Sequence, residues 1–379
     1  MIRIFALIFF SFSPIVFAKD TVPQSEIEIK LSFVPLVKQA APAVVNIYAQ
    51  RIIEERRSPF TRDPFFRDFF RNFGQLQPRV QNSLGSGVIL SADGYVVSNY
   101  HVVGGATDIR VVLHDGREIS GDIILSDEDS DLAVLKINID EMLPHLDLRK
   151  SDTVEVGELV LAIGNPFGVG QTVTNGIISG LARTGIASGS AKGYFLQTDA
   201  PINPGNSGGA LIDISGSLVG VNTSILSRSG GSNGIGFAIP ADLVGQFLVQ
   251  AKAGNSSFIR PWAGMRGQPI TFEMAASLNL PAMSGMIISE LHELSPFLKV
   301  GIGVGDIITK VDGLDINSPA EILYRMSVVG IGTAVDVSYL SQGILKSSKI
   351  DLVEMPNWEA KQVTLGPEFI FMDLHISEL

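Results

Sequence analysis

Short strands separated by tight turns fill the first two-thirds of this chain. The expected fold class is mainly β, followed by a small α+β module. Three observations predict it. The 39 glycines accompany a charged fraction of only 18%, which suits many short strands better than amphipathic helices. Apolar runs flank Asp93-Gly94, Asp115-Gly116 and Ser215-Gly216, and each pair is a hairpin signal. Further short apolar runs (DLAVLKI, LVLAIG, TVTNGIIS and FLQTD) lie between them, a rhythm that indicates a sandwich or barrel.

Taken in order, the elements begin with MIRIFALIFFSFSPIVFAKD, where Arg3 precedes an apolar and small-polar run from Ile4 to Phe17. The run falls short of the ~20 residues that span a bilayer. With a cut-like Val16-Phe17-Ala18, it reads as a cleaved signal peptide over residues 1–18. An uncleaved membrane anchor is the alternative. A short helix then runs through Pro42 into a first strand. Residues 51–81 interrupt the pattern with seven arginines and six phenylalanines. A loop of that length is either functional or mobile, a partner surface or a segment that buries its own rings. After the strands, Pro240 opens an amphipathic helix that ends at Gly254. Beyond Asn255-Ser256-Ser257 the texture changes to short strands with two short helices. The second of these starts at Ser318-Pro319-Ala320-Glu321 with the elements of a capping box.

Composition also excludes function classes. The 379 residues suffice for two or three domains. A net charge of −11 argues against a nucleic-acid partner. With no cysteine, disulfides, thiolate metal sites and a cysteine nucleophile are ruled out.

Ser207 in TDAPINPGNSGGALI is the candidate nucleophile. Glycines at 205, 208 and 209 bare the backbone around it, so a substrate can approach and N–H groups can converge on an oxyanion. A flexible glycine turn would look the same. The G-x-S-x-G elbow of α/β-hydrolases needs a following helix, then Asp and His. Here a hairpin follows, and only His292 and His375 come later. A serine hydroxyl needs a base, and the chain has five histidines. His114 adjoins a hairpin turn and His145 lies in an expected loop. His101 ends the apolar run VVSNYHVV at a strand-to-turn junction. Viewed alone, it would be read as a buried structural histidine. Asp131, at the threshold of DLAVLKI, is the candidate acid, with Asp127, Glu128 and Asp129 as rivals on proximity.

The order His101, Asp131, Ser207 is that of the chymotrypsin-type fold. In such a site Ser207 attacks the carbonyl, His101 carries the proton to the leaving amine, and Asp131 fixes the imidazole tautomer. The turn Gly205-Asn206-Ser207 is the expected oxyanion hole, through the N–H groups of Gly205 and Ser207. Pro201 stands six positions before Ser207, where basic-specific enzymes carry an aspartate, so a Lys or Arg preference is not expected. Asn206 replaces the aspartate that would pair with a freed N-terminal ammonium, so control must come from elsewhere.

SNYHVV, SDLAVLKI, IGNPFG, TDAPINPGNSGGAL and GIGFAIP resemble, in that order, the signature blocks of the HtrA/Deg family of serine proteases. RPWAGM, SPFLKVGIGVGDIITKVDG and SPAEILYRM resemble its PDZ domain. The resemblance covers about residues 32 to 355. It implies a chymotrypsin/trypsin-like double β-barrel protease domain over 19–254, with the regulatory loop at 51–81. A linker at 255–257, a PDZ domain over 258–356 and a tail at 357–379 follow, the tail resembling a truncated second PDZ domain. It also implies periplasmic, ATP-independent digestion of unfolded or misfolded envelope proteins by a homotrimer, with no cofactor and no metal. Larger assemblies, chaperone activity, and a membrane-associated signalling role or PDZ scaffold stay open; membrane association is not required. By position, Ile202, Ile225 and Leu226 line an apolar substrate pocket. Trp262, Ala263, Gly264 and Met265 form the loop that receives a C-terminal carboxylate, with Ile322 and Met326 as its side-chain pocket.

Overall fold

The computed structural model describes residues 32–53, 79–165, 170–184, 193–203, 205–225, 232–277 and 285–356. The expected leader, most of the 51–81 insertion and the tail lie outside them.

A short helix, α1 (Val34–Ala40), leads through a 3-10 turn over Ala41–Ala43 into β1 (Val44–Ile53). Strands β2 (Arg79–Ile89), β3 (Tyr95–Ser98), β4 (Asp108–Val112), β5 (Glu118–Asp127) and β6 (Leu132–Ile137) complete a closed barrel in the order β1-β2-β3-β6-β5-β4. A second closed barrel has the order β10-β11-β12-β9-β8-β7. Its strands are β7 (Leu159–Gly164), β8 (Thr172–Thr184), β9 (Tyr194–Thr198), β10 (Ala210–Asp213), β11 (Leu218–Ile225) and β12 (Gly236–Pro240). All three expected hairpins form, joining β2 to β3, β4 to β5 and β10 to β11. Gly94, Gly116 and Gly216 hold the left-handed turn positions.

Side-chain alternation explains why DLAVLKI and LVLAIG are apolar throughout. Ala133 and Leu135 of β6 fill the first barrel, while Leu132 and Val134 face a larger cluster outside it. Val160 and Ala162 of β7 fill the second barrel, and Leu161 and Ile163 join the same outer cluster. Each strand therefore buries both faces. Helix α3 (Ala241–Lys252), after the single-turn α2 (Tyr100–Val103), closes that cluster with Leu243, Val244 and Phe247. Pro240 is its N-cap, and Gly254 follows its end at φ +88°.

The C-terminal module is a sheet ordered β13-β14-β15-β17-β18, with β16 paired to β15. These strands are β13 (Met265–Pro269), β14 (Met286–Leu291), β15 (Ile307–Val311), β16 (Leu314–Asp315), β17 (Ala334–Ser341) and β18 (Ile344–Asp351). Among the described residues three helices accompany it instead of the expected two: α4 (Phe272–Ser277), α5 (Pro296–Lys299) and α6 (Pro319–Val329). The four-residue α5 exists because the Ser295 hydroxyl caps it, accepting from Phe297 N–H at 3.2 Å, with Pro296 pre-set at its first position. In α6, Ser318 accepts from Glu321 N–H at 3.2 Å, as a capping box requires. The Glu321 carboxylate reaches the N–H of Asn317. Burial pushes that carboxyl above its ordinary pKa.

The module is seated on the barrels. Ser257 bridges to Ser126 of β5, so the segment expected as a linker lies along the first barrel. Tyr324 of α6 stacks on Tyr194 of β9 with ring centroids 4.0 Å apart, and Arg325 pairs with Asp152. Phe258 stacks at 4.1 Å on Phe247, which is fully buried. Replacing Phe247 with Ala is predicted to cost about 3–5 kcal/mol, as removal of a buried aromatic usually does. Val249→Ala, on the exposed side of the same helix, should stay within about 0.5 kcal/mol. Urea unfolding midpoints of the two variants check the contrast.

Candidate active site

His101 lies in the single turn α2, directly after β3, with Asn99 extended as its N-cap. Asp131 directly precedes β6, in a tight turn in which Ser130 N–H donates to the Asp127 carboxylate at 2.7 Å and Asp131 N–H to Glu128 O at 3.1 Å. That turn places Asp131 at φ +53°, a left-handed conformation that aspartate tolerates better than most residues. The Asp131 carboxylate lies 2.9 and 2.8 Å from His101 Nδ1 and also accepts the His101 backbone N–H at 3.0 Å. Asn99 Nδ2 donates to the Asp131 carbonyl at 2.9 Å. A carboxylate on the Nδ1 side favours the Nδ1–H tautomer and leaves Nε2 free to accept a proton. Asp127, one of the rivals, turns to Arg260.

Ser207 comes from the second barrel, in the turn that precedes β10. Its hydroxyl donates to Thr223 O of β11 at 3.0 Å, with no hydrogen bond to His101. Thr223 Oγ1 in turn donates to Asp131 Oδ2 at 2.5 Å. One residue of β11 thus touches both the candidate acid and the candidate nucleophile.

The turn around Ser207 is held by Ser86 of β2, which is fully buried. Ser86 N–H donates to Ser207 O at 2.8 Å, and Ser86 Oγ donates to Gly205 O at 2.7 Å while accepting from Asn165 N–H at 2.9 Å. Gly208 is obligatory here: at φ +83°, a Cβ on it would lie 2.1 Å from Ser86 O. Gly164 likewise makes room for the buried Asn206 side chain, whose Oδ1 would be 2.6 Å from an added Cβ. In the expected oxyanion turn, Asn206 N–H is committed to Asn203 O at 2.9 Å. The N–H groups of Gly205 and Ser207 make no hydrogen bond to a described residue.

Of the expected pocket residues, Ile202 is buried in the second barrel against Gly236. Ile225 ends β11 opposite Gly236, and Leu226 lies outside the described residues. In the C-terminal module, Trp262 N–H donates to Val353 O, Ser295 Oγ to Ala263 O and His292 N–H to Gly264 O, all at 2.7–2.8 Å. Gly264 sits at φ +59° and Met265 opens β13. Ile322 and Met326 are enclosed in the module's core, at 1% and 0% exposure.

Sequence reasoning missed Thr223 and Ser86. Neither residue type nor spacing singles them out, since Thr223 meets Asp131 and Ser86 meets Gly205 across 92 and 119 residues.

Two barrels with an aspartate-oriented histidine at the mouth of a glycine-framed serine turn define a trypsin-like serine endopeptidase. The model of the trypsin-like peptidase domain matches residues 85–221. The chain is 39% identical over 321 residues to the periplasmic pH-dependent serine endoprotease DegQ of Escherichia coli, covering 82% of this chain and 68% of that one. It is 40% identical over 347 residues to a probable periplasmic serine protease do/HhoA-like of Haemophilus influenzae, covering 88% and 74%. Among solved structures, the HtrA-type protease AlgW with a decapeptide matches with a TM-score of 0.62 at 39% identity, over 86% of this chain and 99% of that one. The chain belongs to the HtrA/Deg family of serine endoproteases.

The Thr223 contact yields a prediction of its own. Thr223→Val, which removes the hydroxyl donated to Asp131 and keeps the shape, should lower kcat about tenfold, in keeping with ~1.5 kcal/mol for a hydrogen bond to a charged group. Thr223→Ser should stay near wild type. Steady-state cleavage of a quenched peptide compares the three.

Proposed function

We propose that this protein is an ATP-independent serine endoprotease of the periplasm that digests unfolded or misfolded envelope proteins, with His101, Asp131 and Ser207 as its triad. The observation that carries the reading is the Asp131 carboxylate, held at once by His101 Nδ1, His101 N–H and Thr223 Oγ1. A base oriented from its far side has one outcome left for Nε2, which is to take the Ser207 proton as the hydroxyl turns from Thr223 O. The alkoxide attacks the scissile carbonyl. The oxyanion then points toward the uncommitted N–H groups of Gly205 and Ser207. His101 returns the proton to the leaving amine, and water repeats the sequence to release the acyl group.

Specificity follows from the pocket side. Pro201 and Ile202 place no charge before the serine turn, which supports a small aliphatic residue before the cut.

Residues 258–356 are proposed as a PDZ domain that receives hydrophobic C-terminal peptides. The left-handed Gly264 beside edge strand β13 supports this, since an edge strand can accept a peptide by β-augmentation. The chain's relatives named as periplasmic proteases support the periplasm. Among the described residues no helix is long and apolar enough to cross a membrane. A homotrimer, a regulatory role for 51–81 and chaperone activity belong to the same reading, supported by the family resemblance.

Digestion of casein with EDTA present should proceed with wild type and stop with Ser207→Ala. Persistence of cleavage in the variant would refute the triad. Mass spectrometry of the products should find Val, Ala or Ile before the cut; a majority of Lys or Arg would refute the apolar pocket.

A further inference from the structure

We infer that Arg260 is a positioning residue for Asp131, supplied by the segment between α3 and β13 and by neither barrel. The inference rests on the reading of Asp131 as the triad carboxylate. Asp131 owes its placement to the turn from Asp127, and that turn has to hold a non-glycine residue at φ +53°. Such a conformation costs energy and persists only when its surroundings over-determine it.

Arg260 supplies that constraint. Its Nη1 donates to Asp127 Oδ1 at 2.9 Å, and Nη2 reaches both Asp127 Oδ2 and, at 2.8 Å, Ser130 Oγ. The planar guanidinium therefore grips the first and the fourth residues of the turn together. Asp127 Oδ2 also accepts from Ser130 N–H, so the carboxylate clamps the turn from inside while Arg260 clamps it from outside. The pair is partly withdrawn from water, at 24% side-chain exposure for Arg260 and 15% for Asp127. A bidentate pair in that setting is stronger and more directional than a surface contact.

The arginine is itself held. Its guanidinium lies 5.3 Å from the Phe258 ring centroid, and Phe258 stacks on Phe247 of α3. Two residues on, Trp262 N–H is bonded to Val353 O after β18. Arg260 therefore fixes the catalytic turn from a backbone anchored in the C-terminal module. A lysine could offer a point charge to Asp127 but could not span two carboxylate oxygens and a hydroxyl in one plane.

The test uses the full chain, with three variants and a quenched peptide substrate. Arg260→Ala should lower kcat about tenfold and leave KM within about twofold, since a misplaced catalytic group weakens the reaction more than binding. The downfield proton resonance of His101 Nδ1 should broaden or vanish in the same variant. Arg260→Lys should recover only part of kcat. Ser130→Ala, which removes one contact and leaves the ion pair, should show a smaller loss. If Arg260→Ala keeps kcat within twofold and an intact Nδ1 signal, the proposal is overturned. Should Arg260→Ala fail to fold, unchanged kcat and signal in Ser130→Ala overturn it instead. Labelling of Ser207 by a fluorophosphonate in the wild type separates the two readings. A wild type that is neither labelled nor active sinks the protease assignment itself.

Discussion

A histidine and an aspartate from one closed barrel must meet a serine from another, and barrels have no free edges with which to dock. Ser86 resolves that constraint. Buried on β2, it uses its N–H, its hydroxyl and its carbonyl at once, binding Ser207 O, Gly205 O, Asn165 N–H and Ser98 Oγ. Every polar atom of the residue is satisfied, so the low dielectric of the seam strengthens the bonds and removes alternatives. Thr223 makes the reciprocal crossing, from the second barrel to Asp131 of the first. The bare backbone of the serine turn follows from this closeness, because Gly208 meets Ser86 where any side chain would collide.

Apolar burial supplies cohesion, and polar contacts supply register. The inner faces of β6 and β7 fill separate barrels while their outer faces share one cluster beneath α3. That shared cluster joins the barrels but would tolerate sliding. Arg149, in the segment that crosses between them, ties that segment to the second barrel, gripping Glu158 with both terminal nitrogens and Asp213 with one. Its bond to Glu158 is the main reason its guanidinium pKa is raised further. Asp242, at the start of α3, exchanges hydrogen bonds with Ser151, although burial raises its own pKa. The helix that closes the core is thereby tied to the inter-barrel crossing.

The site shows how separate elements share one task. Asp131 is held by its own turn, by α2 and by β11, so its position averages the errors of three elements instead of inheriting those of one. The nucleophile is held less tightly: its backbone is fixed by Ser86, yet its hydroxyl rests on Thr223 O. A carboxylate fixed in place and a hydroxyl free to turn suit a reaction in which the serine changes partner and the aspartate does not.

By itself the sequence determined whatever depends on near neighbours. The three hairpins followed from Asp-Gly and Ser-Gly pairs, the span of α3 from Pro240 and Gly254, and the start of α6 from Ser318. His101, Asp131 and Ser207 stood out because glycine framing, strand thresholds and chain order are local or ordinal signals. Strands β13 and β16 carry no comparable signal: β13 reads MRGQP and β16 is only two residues, too polar or too short for a period to show. Tertiary structure alone decided the roles of Ser86, Thr223 and Arg260. Thr223 meets Asp131, Ser86 meets Gly205 and Arg260 meets Asp127 across 92, 119 and 133 residues. Hydrogen bonds over such distances exist only once the barrels close and the C-terminal module is seated, and no propensity acting over a few residues can report them.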